Sequence, residues 1–332
     1  MSGLNVWVVC GGPSGEAEVS RTSARAVVKA LEAAGHRTTL VEFEPKMTQA
    51  LLASRPDVVF PLTHGTLGED GCLQGLLEVF DVPYVGCGVL ASALGTSKPM
   101  AKAVWRLAGL PVAREFVVRR GSQVKPDATT IRQELPGKPL AVKPANGGSA
   151  IGVKRVSGDG GDAELCVALE SVLEMDVEVI VEPWMDGVEV TCGVLEDDGG
   201  PKALPPTLIL PARADFYDFA SKYAKGGSRH VCPAPLPADF VERIRELAVA
   251  THRTLGARDL SRTDFIVDQH RGVESGITIL EINTLPGMTS TSLFPEAAAA
   301  AGLGFEALVD GLVRRAFARP RRQKPEVFAM PT

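Results

Sequence analysis

The densest chemical signal in the chain is Leu280-Glu281-Ile282-Asn283. It reads as a strand, and residues two apart on a strand point to one face, so Glu281 and Asn283 present their oxygens together. Asp264, in Arg262-Thr263-Asp264-Phe265, sits on another short strand that could pair beside it. Two carboxylates and an amide oxygen are hard ligands of the kind that hold magnesium on nucleotide phosphates. The competing reading is a polar strand face ending in an edge Asn. A second signal is Lys143-Pro144-Ala145-Asn146-Gly147-Gly148-Ser149-Ala150-Ile151-Gly152, between two strands. Paired glycines let backbone N–H groups approach an anion, and Lys143 adds a fixed positive charge. No Gly-Lys-Ser/Thr opens a helix here, so this is not a Walker A loop, and a plain hairpin is the alternative.

Two further stretches lie where a strand meets a helix. Gly11-Gly12-Pro13-Ser14-Gly15-Glu16 could bind an anion at a helix N-terminus, or Glu16 could hold an ammonium group. Its spacing departs from the dinucleotide fingerprint GxGxxG, which weakens a nicotinamide reading even with Glu42 and Glu44 after the next strand. Thr63-His64-Gly65-Thr66-Leu67-Gly68-Glu69-Asp70-Gly71 reads as a tight turn at a strand's C-terminal end, where α/β folds place ligands. A lone His such as His64 is more often structural than catalytic. The six cysteines are scattered without a CxxC pair, which suggests reduced, packed thiols. His230 and Cys232 alone do not make a metal site.

These loops need elements to position them. Strand and helix signals alternate through the first hundred residues: strands at 6–10, 38–43, 58–62 and 82–85, helices at 19–34 and 72–80. Such alternation implies a parallel sheet covered on both faces. After Lys98 comes a helix at 99–108. Strands at 115–118, 140–143, 152–156 and 177–181, with a helix near 163–173, then read as an antiparallel sheet with helices on one face. A third region from Gly187 has strands at 189–195, 263–268 and 277–283 and a helix at 238–255. The loop over 215–235 is too long for a plain connection and reads as a lid. The basic, proline-containing end from Arg319 reads as a frayed tail.

Composition sets the outer bounds. A chain of 332 residues can build two or three domains with their own cores. A net charge of −5 gives no basic field for nucleic acid. No apolar run approaches the roughly 18 residues that span a bilayer. The first residues lack the positive region of a signal peptide, so the cytoplasm is the expected compartment.

Together the motifs resemble the D-alanine–D-alanine ligases, over nearly the whole chain from Val6 to Arg315. The resemblance rests on Gly11-Gly12-x-Ser14-x-Glu16-x-Glu18-Val19-Ser20, on His64-Gly65-x-x-Gly68-Glu69-Asp70-Gly71-x-Leu73-Gln74-Gly75 and on Tyr84-x-Gly86-x-Gly88-Val89-x-Ala91-Ser92-Ala93. It continues through Lys222-Tyr223, Arg262-x-Asp264 and Glu281-Ile282-Asn283-Thr284-Leu285-Pro286-Gly287-Met288-Thr289. It implies an α/β protein: an N-terminal Rossmann-like parallel sheet over 1–97, then a two-part ATP-grasp fold with a central part over 98–185 and a C-terminal part over 186–318, and a flexible tail over 319–332.

The resemblance also implies roles. ATP would lie between the central and C-terminal parts, its phosphates against Lys98, Lys143 and Lys222 and its adenosine against Glu182, Trp184 and Glu189. Asp264, Glu281 and Asn283 match the ligands of two Mg2+ ions, for which Mn2+ could substitute. Glu16 resembles the residue that binds the amino group of the first D-alanine. Ser292 and Leu293 match the place that holds the carboxylate of the second. Arg262 and the Gly287 N–H match the oxyanion donors, and His64 or the Glu16–Ser149–Tyr223 group would take the incoming ammonium's proton. The implied product is D-alanyl-D-alanine for peptidoglycan, made through an acyl phosphate, by a homodimer that acts on small molecules and binds neither nucleic acid nor membrane. Tyr223, where ester-forming relatives carry Phe, implies an amine acceptor. Departures are Ala150 in place of a second serine, Ala17 beside Glu16, and Thr96-Ser97 before Lys98. The alternatives are another acceptor such as D-serine, or a silent nucleotide-binding protein of the same fold.

Overall fold

A computed structural model describes residues 3–148, 151–211, 228–289 and 291–320. The chain begins with a parallel three-stranded sheet ordered β2-β1-β3, from β1 (Asn5–Cys10), β2 (Arg37–Glu42) and β3 (Val58–Pro61). Alternation of side chains gives the sheet two apolar faces. Val6, Val8, Val58 and Phe60 pack against helix α1 (Ala17–Ala33), while Trp7, Val9 and Val59 pack against α2 (Met47–Ala53) and α3 (Cys72–Val79). Helix α1 ends at Gly35: its N–H donates to Glu32 O and the His36 N–H to Leu31 O, the paired bonds of a Schellman motif. The strand expected at 82–85 shrinks to one parallel bridge between Val59 and Tyr84, because Pro83 lacks an N–H and the chain turns away at Gly86. The second helix, α2, carried no clear sequence signal.

Helices α4 (Val89–Thr96) and α5 (Lys98–Leu107) lead into an antiparallel sheet ordered β4-β7-β5-β6, from β4 (Phe116–Arg119), β5 (Leu140–Pro144), β6 (Lys154–Val156) and β7 (Glu178–Pro183). As expected, its helices lie on one face. Leu140, Val142, Val179 and Val181 pack against α6 (Val124–Glu134) and α7 (Asp162–Leu173). The opposite face carries Ala141, Lys143, Ile180 and Glu182, since Ala141 pairs with Glu182 and Lys143 with Ile180.

The third sheet is antiparallel and six-stranded, ordered β11-β10-β8-β12-β13 with β9 beside β8. Its strands are β8 (Val188–Asp197), β9 (Gly200–Ala203), β10 (Thr207–Pro211), β11 (Ser228–Val231), β12 (Leu260–Val267) and β13 (Ile277–Asn283). Val190, Cys192, Phe265 and Ile279 bury one face under α8 (Ala238–Thr254), leaving Glu189, Thr191, Asp264 and Ile266 on the other. The expected lid over 215–235 is corrected at its end, where Ser228–Val231 forms a strand paired with β10; residues 212–227 lie outside the described residues. Helices α9 (Leu293–Ala300) and α10 (Phe305–Ala318) close the chain. Leu308, Val309, Leu312 and Val313 of α10 join the core over β1 and β3. Arg319, expected to open a frayed tail, instead donates to both carboxylate oxygens of buried Asp259 at 2.6 Å.

Candidate functional site

Two clefts meet at one place. The first is an open cleft of about 860 Å3, solvent at its mouth included, between the polar faces of the second and third sheets. Lys98, Lys143, Glu182, Trp184, Glu189, Asp264 and Glu281 line it, so seven expected residues come together. Its other walls are apolar: Ala141, Val153, Met185, Ile266 and Leu280. Leu280 faces this cleft because of a bulge. Asp264 pairs with Glu281 but the next residue, Phe265, pairs with Ile279, so Leu280 is extra and stands on the cleft side with Glu281. One irregularity thus sets a flat apolar wall next to a carboxylate.

Across β12 and β13, Asp264 lies opposite Glu281 and Arg262 opposite Asn283, four polar side chains on one face. The Asp264 carboxylate is 2% exposed and held on three sides. Thr191 Oγ1 donates to its Oδ1 at 2.5 Å, and Arg262 donates from Nε and Nη2 to its two oxygens at 3.0 Å each. Asn283 Oδ1 accepts the Leu285 N–H at 2.8 Å, which fixes the amide's orientation. Lys98, at the start of α5, reaches across with Nζ 3.4 Å from Glu281 Oε2 and 2.5 Å from Gly147 O.

Lys143 and Glu182 are buried and joined at 2.5 Å, and the other Glu182 oxygen meets Lys102 at 2.5 Å. Burial would raise the Glu182 carboxyl, but Lys143 and Lys102 outweigh it and hold it at about 2. Burial likewise opposes charge on Lys143, yet Glu182, with Glu281 and Glu115 beyond, raises it above its ordinary value. The Trp184 backbone N–H donates to Pro139 O at 2.8 Å, which fixes the main chain there, and Arg155 lies 4.9 Å from the centre of the indole ring at the cleft wall.

The second cleft is also open, with about 1330 Å3 of space, solvent at its mouth included. Glu16 and His64 from the first sheet's loops face Arg262, Asn283, Gly287, Ser292 and Leu293 across it. Ser292 does not cap its own helix. Its Oγ turns to the Thr289 N–H at 3.1 Å and the Thr289 hydroxyl at 2.7 Å, so the first amides of α9 stay uncapped by this side chain at the cleft wall. The glycine-rich turn after His64 spends its acids on itself: Glu69 accepts the Gly65 N–H and Asp70 those of Leu67 and Cys72. His64 is buried, which lowers its pKa, but Glu69 at 3.7 Å and the Glu16 charge prevail and raise it above 6.5. Gly147, Gly148 and Glu281 line both clefts.

Ser149, Lys222 and Tyr223 lie outside the described residues. His230, which with Cys232 did not read as a metal site, contacts Glu296 at 3.1 Å and faces the second cleft. The loop after β1 is filled from within. A side chain at Gly11 would strike the Glu42 carboxylate, and Glu42 is itself held by Arg21 at 3.1 Å. Sequence reasoning missed Lys102, Glu115 and Thr191. Lys102 was findable as the residue one turn after Lys98, and Thr191 as the residue two after Glu189 on a strand.

Two family models match the chain. The D-ala D-ala ligase C-terminus model matches residues 104–314 and the D-ala D-ala ligase N-terminus model residues 43–87. The D-alanine–D-alanine ligase of Oleidesulfovibrio alaskensis is 41% identical over 327 residues, 97% of this chain and 99% of that protein. That of Rhizobium meliloti is 43% identical over 306 residues, 92% and 95% of the two chains. Among solved structures, the Bacillus anthracis D-alanine–D-alanine ligase complexed with ATP superposes with a TM-score of 0.79 at 29% identity, covering 95% of this chain and 97% of that one.

Proposed function

This chain belongs to the D-alanine–D-alanine ligase family, and from that premise we propose how its two clefts divide the ATP-dependent joining of two D-alanines. The first cleft takes ATP, adenine between the apolar walls near Leu280 and Trp184, phosphates toward Lys98 and Lys143. The second takes both amino acids. The observation that carries this reading is the shared lining by Gly147, Gly148 and Glu281, which brings the phosphate end of one ligand to the carboxyl end of another.

A carboxylate is a poor acyl donor because its leaving group would be oxide. Phosphoryl transfer from ATP to the first D-alanine carboxylate gives an acyl phosphate and ADP. The amine of the second D-alanine then attacks the carbonyl, and phosphate departs. Glu16 pairs with the first ammonium group. Arg262 and the Gly287 N–H face the oxyanion, where fixed donors are worth most. The start of α9 at Ser292 and Leu293 receives the second carboxylate. His64, held above its ordinary pKa by Glu69 and the Glu16 charge, faces the second cleft from the turn after β3. The incoming ammonium's proton goes to His64 or to the group built around Glu16.

Asp264, Glu281 and Asn283 offer an all-oxygen set on adjacent strands, two of them charged, which suits a hard divalent cation. They would hold Mg2+, which supplies charge neutralisation on the phosphate oxygens. Each sheet falls within one of the proposed divisions at 97 and 185, although α10 crosses back to cover the first sheet. A homodimer in the cytoplasm completes the proposal; among the described residues no helix is long and apolar enough to cross a membrane. The relatives do not favour D-serine as acceptor.

The test is to supply ATP and magnesium with D-alanine, D-serine or both, and to measure phosphate and dipeptide. Equal amounts of phosphate and D-alanyl-D-alanine are expected, and Glu281→Gln should remove most of both while the protein stays folded. A preference for D-serine would overturn the acceptor assignment. Near wild-type turnover of the variant at ordinary magnesium would remove Glu281 from the metal set.

A further inference from the structure

Lys102 lies one turn beyond Lys98 on α5, is 1% exposed and does not line either cleft. Its Nζ sits 2.5 Å from Glu182 Oε2 and 3.1 Å from Glu115 Oε2. Glu115 Oε2 also meets Arg106 at 2.5 Å, and Glu182 Oε1 meets Lys143 at 2.5 Å. The groups therefore alternate in sign from the surface inward: Arg106, Glu115, Lys102, Glu182, Lys143. Arg106 is half exposed, whereas Lys143 is buried at the wall of the nucleotide cleft. Three cations face two anions, so the chain carries one net positive charge, and its inner end is the group that meets the nucleotide.

Without Lys102, Glu182 would neutralise Lys143 alone. A buried lysine paired one-to-one with a carboxylate presents a dipole to an arriving phosphate, not a charge. With Lys102 drawing on the other oxygen of Glu182, the carboxylate is shared between two cations. We propose that Lys102 is a positioning residue for the nucleotide, sharing Glu182 so that Lys143 offers net positive charge to the phosphates. Glu115 is the counterweight: by engaging Lys102 it limits how far that charge reaches. The series makes specific sense of burying four charges, Glu115, Lys102, Glu182 and Lys143, an arrangement that is costly unless every member is paired. This inference rests on the nucleotide occupying the first cleft.

The signs separate it from a structural role. Direct titration of the intact protein with ADP in the presence of magnesium should show Lys102→Met binding roughly tenfold more weakly. That is the size expected for one unit charge acting over about 10 Å at an effective dielectric of ~20. Glu115→Gln should bind ADP several-fold more tightly, because it releases Lys102. Damage to the fold would weaken both variants. Opposite shifts support the proposal; shifts of the same sign, or no shift in either, overturn it. If Lys102→Met does not fold, Glu115→Gln decides alone, and unchanged or weaker binding overturns the proposal. Absence of ADP binding to the wild type would instead overturn the placement of the nucleotide, and this inference with it.

Discussion

His64 shows how environment turns a common residue into a site residue. Its ring is buried in the turn that β3 feeds, with Glu69 on one side, the Glu16 charge across the cleft and Arg262 opposing them. Because the folded pKa is raised, the protonated form contributes stability that is fully present below about 6.5 and is lost as pH rises through the folded value. His64→Gln should therefore cost on the order of 1 kcal/mol at pH 6 and less at pH 9. Urea unfolding at the two pH values checks this, and a cost that grows with pH would contradict the Glu69 pairing. Glu281 and Asn283 could be read from the sequence because strand alternation fixes a shared face. Glu115 could not, and Lys102 only as the residue one turn after Lys98, without its partners. Their significance depends on α5, β4 and β7 meeting, a contact between residues 80 apart in the case of Lys102 and Glu182, and one sequence carries no direct record of such pairing.

At the scale of elements, long periodic segments were legible and irregular ones were not. Helix α8 and the strand β13 matched their expected spans within a residue, because burial of one face imprints a regular period. The bulge at Leu280 left no such trace. It interrupts alternation for one position only, yet it decides which residue joins the apolar wall of the first cleft. Strand β11 was hidden for a similar reason: it is four residues long and sits in a polar stretch. The turn from β7 into β8 is equally local. Gly187 has φ +134°, and a Cβ there would lie 2.5 Å from Val267 O. Gly187→Ala thus combines backbone strain with a contact against main chain that cannot move aside, and should destabilise by about 2–3 kcal/mol. Gly200, at φ +96° with open space around it, isolates the first effect, so Gly200→Ala should cost only about 1 kcal/mol. Chemical denaturation of both variants tests the difference. Equal costs would mean that the β7–β8 turn yields at Val267.

The whole molecule is held together by a return of the chain on itself. Helix α10 supplies core side chains to the first sheet, and just past it Arg319 donates to both oxygens of Asp259 and to Tyr84 O at 3.0 Å. Asp259, 1% exposed, also accepts the Gly86 N–H at 2.7 Å. Arg258 adds a bond from Nε to Gly86 O at 2.9 Å and stacks 4.8 Å from the centre of the Tyr84 ring. These contacts fasten the end of the first unit to the start of β12, which carries Arg262 and Asp264. The second cleft is built across that seam, with Glu16 and His64 on one bank and Arg262 and Ser292 on the other. The first cleft is built from the second and third sheets and does not cross it. Arg319→Ala leaves a buried carboxylate without its cation, which should cost about 3–5 kcal/mol. Arg319→Lys should recover part of this, since one ammonium cannot reach both oxygens and Tyr84 O together. If the seam positions the amino acids and not the nucleotide, Arg319→Ala should raise the KM for D-alanine several-fold while leaving ADP affinity within about twofold of wild type. Steady-state kinetics and ADP titration on the folded variant separate the two. Parallel loss of both affinities would mean that the seam supports the entire molecule evenly, and unchanged D-alanine kinetics would mean that α10 alone sets the spacing of the two banks.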